Sequence, residues 1–129
     1  MSGVEFRIME GKFAVVKLPL GSEVPRPPKN ATFWSETVTE EEISLVCPDE
    51  FAPTGPDLMI ERMWLCIKVS GPLEFELKGI LSSLLNPLAE AKVSVFAVST
   101  YQTDYIFIKE RVLDRALYAL LAAGHRLAA

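Results

Sequence analysis

At 129 residues the chain is long enough for one compact domain or for two small units sharing a core. Half of its residues are hydrophobic and 23% are charged, which is the composition of a folded globular protein. The net charge of -4 comes with no cluster of Lys and Arg, which argues against a nucleic-acid partner, and no apolar run approaches the roughly 20 residues that a membrane span requires.

The first residues, Met1-Ser2-Gly3-Val4-Glu5, lack the charged and apolar regions of a signal peptide. The two cysteines, Cys47 and Cys66, each sit inside an apolar run, and His125 is the sole histidine. With no Cys-x-x-Cys pair and one histidine, a zinc site would have to recruit distant carboxylates, so neither metal nor cofactor is expected. Both thiols read as buried, reduced packing groups, which fits a cytoplasmic protein.

Residues 4–18 contain two apolar runs around Gly11 and predict a strand pair or one bent strand. Pro19, Pro25, Pro27 and Pro28 then exclude a long regular element, leaving room for one short helical turn around Ser22 to Val24. Residues 33–39 and 43–47 have strand composition, and Glu40-Glu41-Glu42 between them reads as a solvated turn. After another irregular, proline-marked stretch, residues 60–69 form a further strand.

Ser70-Gly71-Pro72 is the expected boundary between two units, residues 1–69 and 70–129. Beyond it Leu73, Phe75 and Leu77 alternate with charged residues, the pattern of a half-buried strand. Ile80, Leu81, Leu84, Leu85 and Leu88 recur at helical spacing. Pro87 inside this run predicts either a kink or a helix restarted with Pro87 in its first turn. Residues 93–98 and 105–109 are the strands of a hairpin. Residues 112–121 mark a second amphipathic helix closed by Gly124, and His125 falls at the surface or on an edge beside at most a short last strand. The order from residue 72 onward is β-α-β-β-α with a stub of β, the ferredoxin-like split βαβ pattern, and the strand-rich first 70 residues are the obvious cover or extension of its sheet.

The hairpin connection Ser99-Thr100-Tyr101-Gln102-Thr103-Asp104-Tyr105 contains no Gly, Pro or Asn. It offers hydroxyls, phenols, an amide and a carboxylate, a composition suited to hydrogen bonding more than to mere chain reversal. It is the expected functional site.

Gly79-Ile80-Leu81, then 87–91, then the run from Val93 through Ile106 with its Ser-Thr-Tyr-x-Thr-Asp-Tyr core, resemble the small bacterial ACT-domain proteins, and the same signature is similar to the cytosolic arginine sensors of the CASTOR type. Residues 42–48 resemble the companion motif of the family's first half. The resemblance implies an α+β fold of two ferredoxin-like (βαββαβ, ACT-like) units packed side by side, with mostly antiparallel sheet. The first unit, 1–69, is the divergent one, with prolines where helices belong, and 70–129 is the ACT domain. The resemblance also implies a non-catalytic regulatory or sensor protein that holds a free amino acid at the interface between ACT units. Carried across, it places Gly79, Ile80 and Leu81 on one wall and Thr100, Tyr101, Gln102 and Asp104 on the other.

The chemistry of an amino-acid zwitterion agrees with this assignment. Its carboxylate suits the N–H groups of a helix N-terminus behind Gly79, and its ammonium suits Asp104, the only carboxylate of the hairpin segment. Thr100 and Gln102 suit orientation, and Tyr101 or Tyr105 suits an apolar wall. The plainer alternatives are that Asp104 only caps its turn and that Gly79 only makes a tight strand-to-helix turn. At the level of the whole chain, the alternatives are an interaction or oligomerisation module that uses exposed sheet edges, or an amino-acid-metabolising enzyme; free sheet edges leave a homodimer possible in either case. The enzyme reading lacks a nucleophile with its base, a phosphate loop and a metal cluster.

Overall fold

The computed structural model describes residues 3–70 and 79–128. Its strands are β1 (Glu5–Ile8), β2 (Phe13–Leu18), β3 (Ser35–Val38), β4 (Ile43–Pro48), β5 (Met59–Val69), β6 (Val95–Ser99), β7 (Asp104–Lys109) and β8 (Arg126–Leu127). Its α-helices are α1 (Ile80–Glu90) and α2 (Leu113–Ala122). The predicted strand at residues 73–77 lies outside the described residues. Compact units form from Met1–Glu10 with Leu65–Ala129 and from Gly11–Trp64, so the divisions fall at residues 10/11 and 64/65, where a single boundary at Ser70 was expected. The reason is strand pairing: β1 lies antiparallel to the last residues of β5, with Phe6 opposite Val69 and Ile8 opposite Ile67, and so belongs with the later segment.

In the unit containing both helices, β5 pairs with β1 and with β7, β7 pairs antiparallel with β6, and β1 pairs parallel with β8. Alternation sends Leu65, Ile67 and Val69 to one sheet face with Phe6, Ile106 and Ile108. Leu84 and Leu88 of α1 and Ala116 and Leu120 of α2, spaced four apart, close over that face as one buried cluster. Pro87 lies inside an unbroken α1, so the helix does not restart there. Both helices end in the same motif. Val93 N–H reaches Leu88 C=O at 3.0 Å and Lys92 N–H reaches Ala89 C=O at 3.0 Å, while His125 N–H reaches Leu120 C=O at 3.1 Å and Gly124 N–H reaches Leu121 C=O at 3.0 Å. The left-handed position is Lys92 at φ 63° in one and Gly124 at φ 96° in the other.

The other unit is an antiparallel sheet in the order β3, β4, β2 and the first part of β5. Its core is Ala14, Val16, Leu18, Ile43, Leu45 and Cys47, with Val24, Trp34, Ala52, Leu58 and Ile60 packed against it. No α-helix occurs in it, so the expectation of a second βαββαβ unit fails for residues 11–64. Connecting segments rich in proline supply the packing that helices would give. The expected helical turn at Ser22 to Val24 is instead a reverse turn, closed by Ser22 N–H on Pro19 C=O at 3.2 Å. On β5 the register shifts against β2 between Phe13 and Val15, and Met63 takes φ 69° at this irregularity. Arg62 pairs with the Asp49 carboxylate nearby in sequence to the shift.

Cys47 and Cys66 are buried free thiols. Burial pushes Cys47 from 9.0 up to about 11, with Asp49 adding to the rise and Arg62 opposing it. Burial pushes Cys66 from 9.0 up to about 12 against the opposing pull of Lys68 and Arg7. Above pH 9 the unfolded chain loses these protons while the folded chain keeps them. Their contribution to stability is therefore complete below pH 9 and falls as pH rises toward about 11 for Cys47 and about 12 for Cys66. The folded chain is expected to resist alkylation at neutral pH and to react when urea unfolds it, and the urea midpoint should drop above pH 9. Rapid labelling of the folded thiols would contradict this.

Candidate functional site: the hairpin turn and the start of helix α1

The connection between β6 and β7 runs from Thr100 to Thr103, with Tyr101 and Gln102 at its tip, and none of these residues takes a positive φ. Tight hairpin turns usually take Asn or Gly at positive φ. Here the Thr100 side chain takes over part of the closure. Its backbone N–H donates to Thr103 C=O at 2.9 Å, its hydroxyl donates to the same oxygen at 3.1 Å, and it accepts the Thr103 N–H at 3.4 Å. That explains the missing glycine in the segment.

Thr103 anchors the turn. It is 5% exposed, and its hydroxyl donates to Val69 C=O at 2.8 Å, fixing the hairpin tip to the end of β5. This residue was missed by reading the sequence, because nothing local distinguishes its hydroxyl from that of Thr100. Opposite Ser99 in register, Asp104 accepts the Ser99 hydroxyl at Oδ1 across 2.5 Å. Among the described residues, a neutral hydroxyl is the group that holds this carboxylate. Tyr101 is 83% exposed and Gln102 is exposed, so both project from the tip. Tyr105 is half-buried, with Lys68 Nζ 5.8 Å above its ring.

Gly79 is the residue before α1 and takes φ 80°, a left-handed conformation that explains glycine by itself, since an added Cβ would meet nothing within 4 Å. No described side chain caps this helix end. The first N–H groups of the helix have no partner within the helix itself. Ile80 and Leu81 are half-buried and pack on the core with their side chains, so only their backbone groups are suited to a ligand. The predicted residues therefore gather in two places, the first turn of α1 and the β6–β7 turn.

His125, expected at the surface or on an edge, directly precedes β8 at the end of the sheet order and is 5% exposed. Its Nδ1 lies 3.1 Å from the Val4 nitrogen and its Nε2 lies 2.8 Å from the Ser83 oxygen. Burial follows from its place directly after Gly124, where the helix-ending motif turns the chain back over α1.

Thr103→Val keeps the shape of the side chain and deletes the hydroxyl, leaving the Val69 carbonyl without that donor. Unfolding free energy should fall by roughly 1–3 kcal/mol, and Thr103→Ser should restore most of it. Urea denaturation of the two variants checks this, and an unchanged midpoint in Thr103→Val would remove Thr103 as the anchor.

Among the described residues, no group of three or more His, Cys, Asp and Glu is placed to hold a metal ion, and no helix is long and apolar enough to cross a membrane. Residues 59–122 match the family model of the ACT domain. The cytosolic arginine sensor for mTORC1 subunit 1 of Bos taurus is 35% identical over 97 residues, which is 68% of this chain. The chain spans 30% of the length of that relative. An X-ray structure of a protein from Agobacterium tumefaciens superposes with a TM-score of 0.88 at 28% identity, covering 99% of this chain and 94% of the other. The regulatory subunit of aspartate kinase from Thermus flavus shares the fold, with a TM-score of 0.66 at 8% identity over 95% of this chain and 99% of that one. The chain thus matches the ACT domain over residues 59–122, and its α+β fold with a mostly antiparallel sheet is ACT-like.

Proposed function

We propose that this chain is a non-catalytic regulatory protein of the cytoplasm that binds a free amino acid through Gly79, Ile80 and Leu81 on one side and Thr100, Tyr101, Gln102 and Asp104 on the other. The observation that carries this reading is the Asp104 carboxylate, held in place by the Ser99 hydroxyl on a turn that Thr103 ties to β5. A hydroxyl donor orients the carboxylate and leaves its charge uncompensated among the described residues, which suits a ligand ammonium. The uncapped start of α1 suits the ligand carboxylate. The ACT-domain match and the relative named as an arginine sensor support the ligand class, and arginine is the first amino acid to try. A homodimer joined through an open strand edge is compatible with this reading, since β6 pairs with β7 alone among the described residues.

The test is a thermal-shift screen of the twenty amino acids, followed by calorimetry on the parent and on Asp104→Asn. An amino acid at about 100 times its dissociation constant should add about 2.7 kcal/mol of stability. Asp104→Asn keeps the shape and the Ser99 contact but removes the charge, so affinity should fall about 10- to 150-fold while folding changes little. Equal affinities would remove Asp104 as the ammonium partner, and turnover of the amino acid would favour an enzyme.

A further inference from the structure

We propose that His125 is a tie between β1 and α1, required because Pro87 deprives the helix of one of its own hydrogen bonds. Proline has no N–H, so the carbonyl four residues earlier loses its helical donor. In α1 that carbonyl belongs to Ser83, and His125 Nε2 stands 2.8 Å from it. The imidazole supplies the donor that the backbone lacks, which is how α1 runs unbroken through Pro87.

The ring's other nitrogen fixes its protonation state. Val4 N–H points at Nδ1 across 3.1 Å, so Nδ1 must accept. Ser83 C=O can only accept, so Nε2 must donate. One form alone, the neutral ring with its proton on Nε2, makes both bonds. The close surroundings hold the ring in this place. A Cβ on Gly3 would lie 1.9 Å from the Gly124 oxygen, so only glycine lets the start of the chain run this close to the turn before His125. Arg126 N–H then bonds Val4 C=O at 3.0 Å, beginning the β1–β8 pairing.

Because Ser83 N–H also donates to Gly79 C=O at 2.9 Å, loss of the tie is felt at the first turn of α1.

Urea unfolding of the full chain tests the tie, with His125→Gln, Pro87→Ala and the double variant alongside the parent. Pro87→Ala gives Ser83 back its helical donor, so His125→Gln should be less damaging in that background than alone. An equal loss of stability from His125→Gln in both backgrounds would overturn the proposal. Should His125→Gln fail to fold, the chain's single histidine still allows a direct reading by nitrogen NMR of the parent. Nε2 should carry the proton and Nδ1 should not, and the reverse tautomer would overturn the tie.

Discussion

The last residues of β5 are the constraint on which the ACT-like unit depends. Leu65, Ile67 and Val69 are buried on one face, and α1 and α2 can dock only where that stripe meets Phe6, Ile106 and Ile108. Burying a side chain of this kind is worth roughly 1.5–3 kcal/mol. Polar contacts at the same strand end do different work. Val69 C=O accepts the Thr103 hydroxyl and Ser70 N–H donates to Glu5 C=O at 2.9 Å, so the hairpin turn and the N-terminal strand are placed relative to the end of one strand. The apolar stripe drives folding, and these bonds set where the candidate site residues come to rest.

Much of this was legible in the residues. The spacing of Leu84 and Leu88 marked α1, the runs on either side of residues 99–105 marked β6 and β7, and Gly124 marked the end of α2, because each pattern is local. What was not legible depends on partners far along the chain. His125 follows a helix-ending glycine and reads as a surface or edge residue, and its burial depends on Ser83, 42 residues away, and Val4, 121 residues away. Thr103 and Thr100 look alike in sequence, and the one that matters for anchoring is decided by Val69, 34 residues earlier. The pairing of β1 with β5 could not be read either, since alternation tells which face a residue takes and not which strand it meets.

Pro87 shows how a local conflict becomes informative. A proline inside a helical pattern predicts a kink or a restart; α1 does not restart, and the Ser83 carbonyl that Pro87 leaves without its helical donor lies 2.8 Å from His125 Nε2. The residues between 11 and 64 show the opposite outcome. Their prolines do prevent helices, and that unit completes its core with Val24, Trp34, Ala52 and Leu58 from connecting segments.

The functional account rests on two groups of atoms, the backbone N–H groups that open α1 and the Asp104 carboxylate on the hairpin turn. Neither has a described cap or cation that would exclude a ligand. Amide chemical-shift mapping of the labelled chain, titrated with the amino acid that stabilises it most, examines both groups at once. The account predicts saturable shifts concentrated at residues 79–83 and 99–104. Saturable shifts confined to other parts of the chain, with both of these segments unmoved, would contradict it.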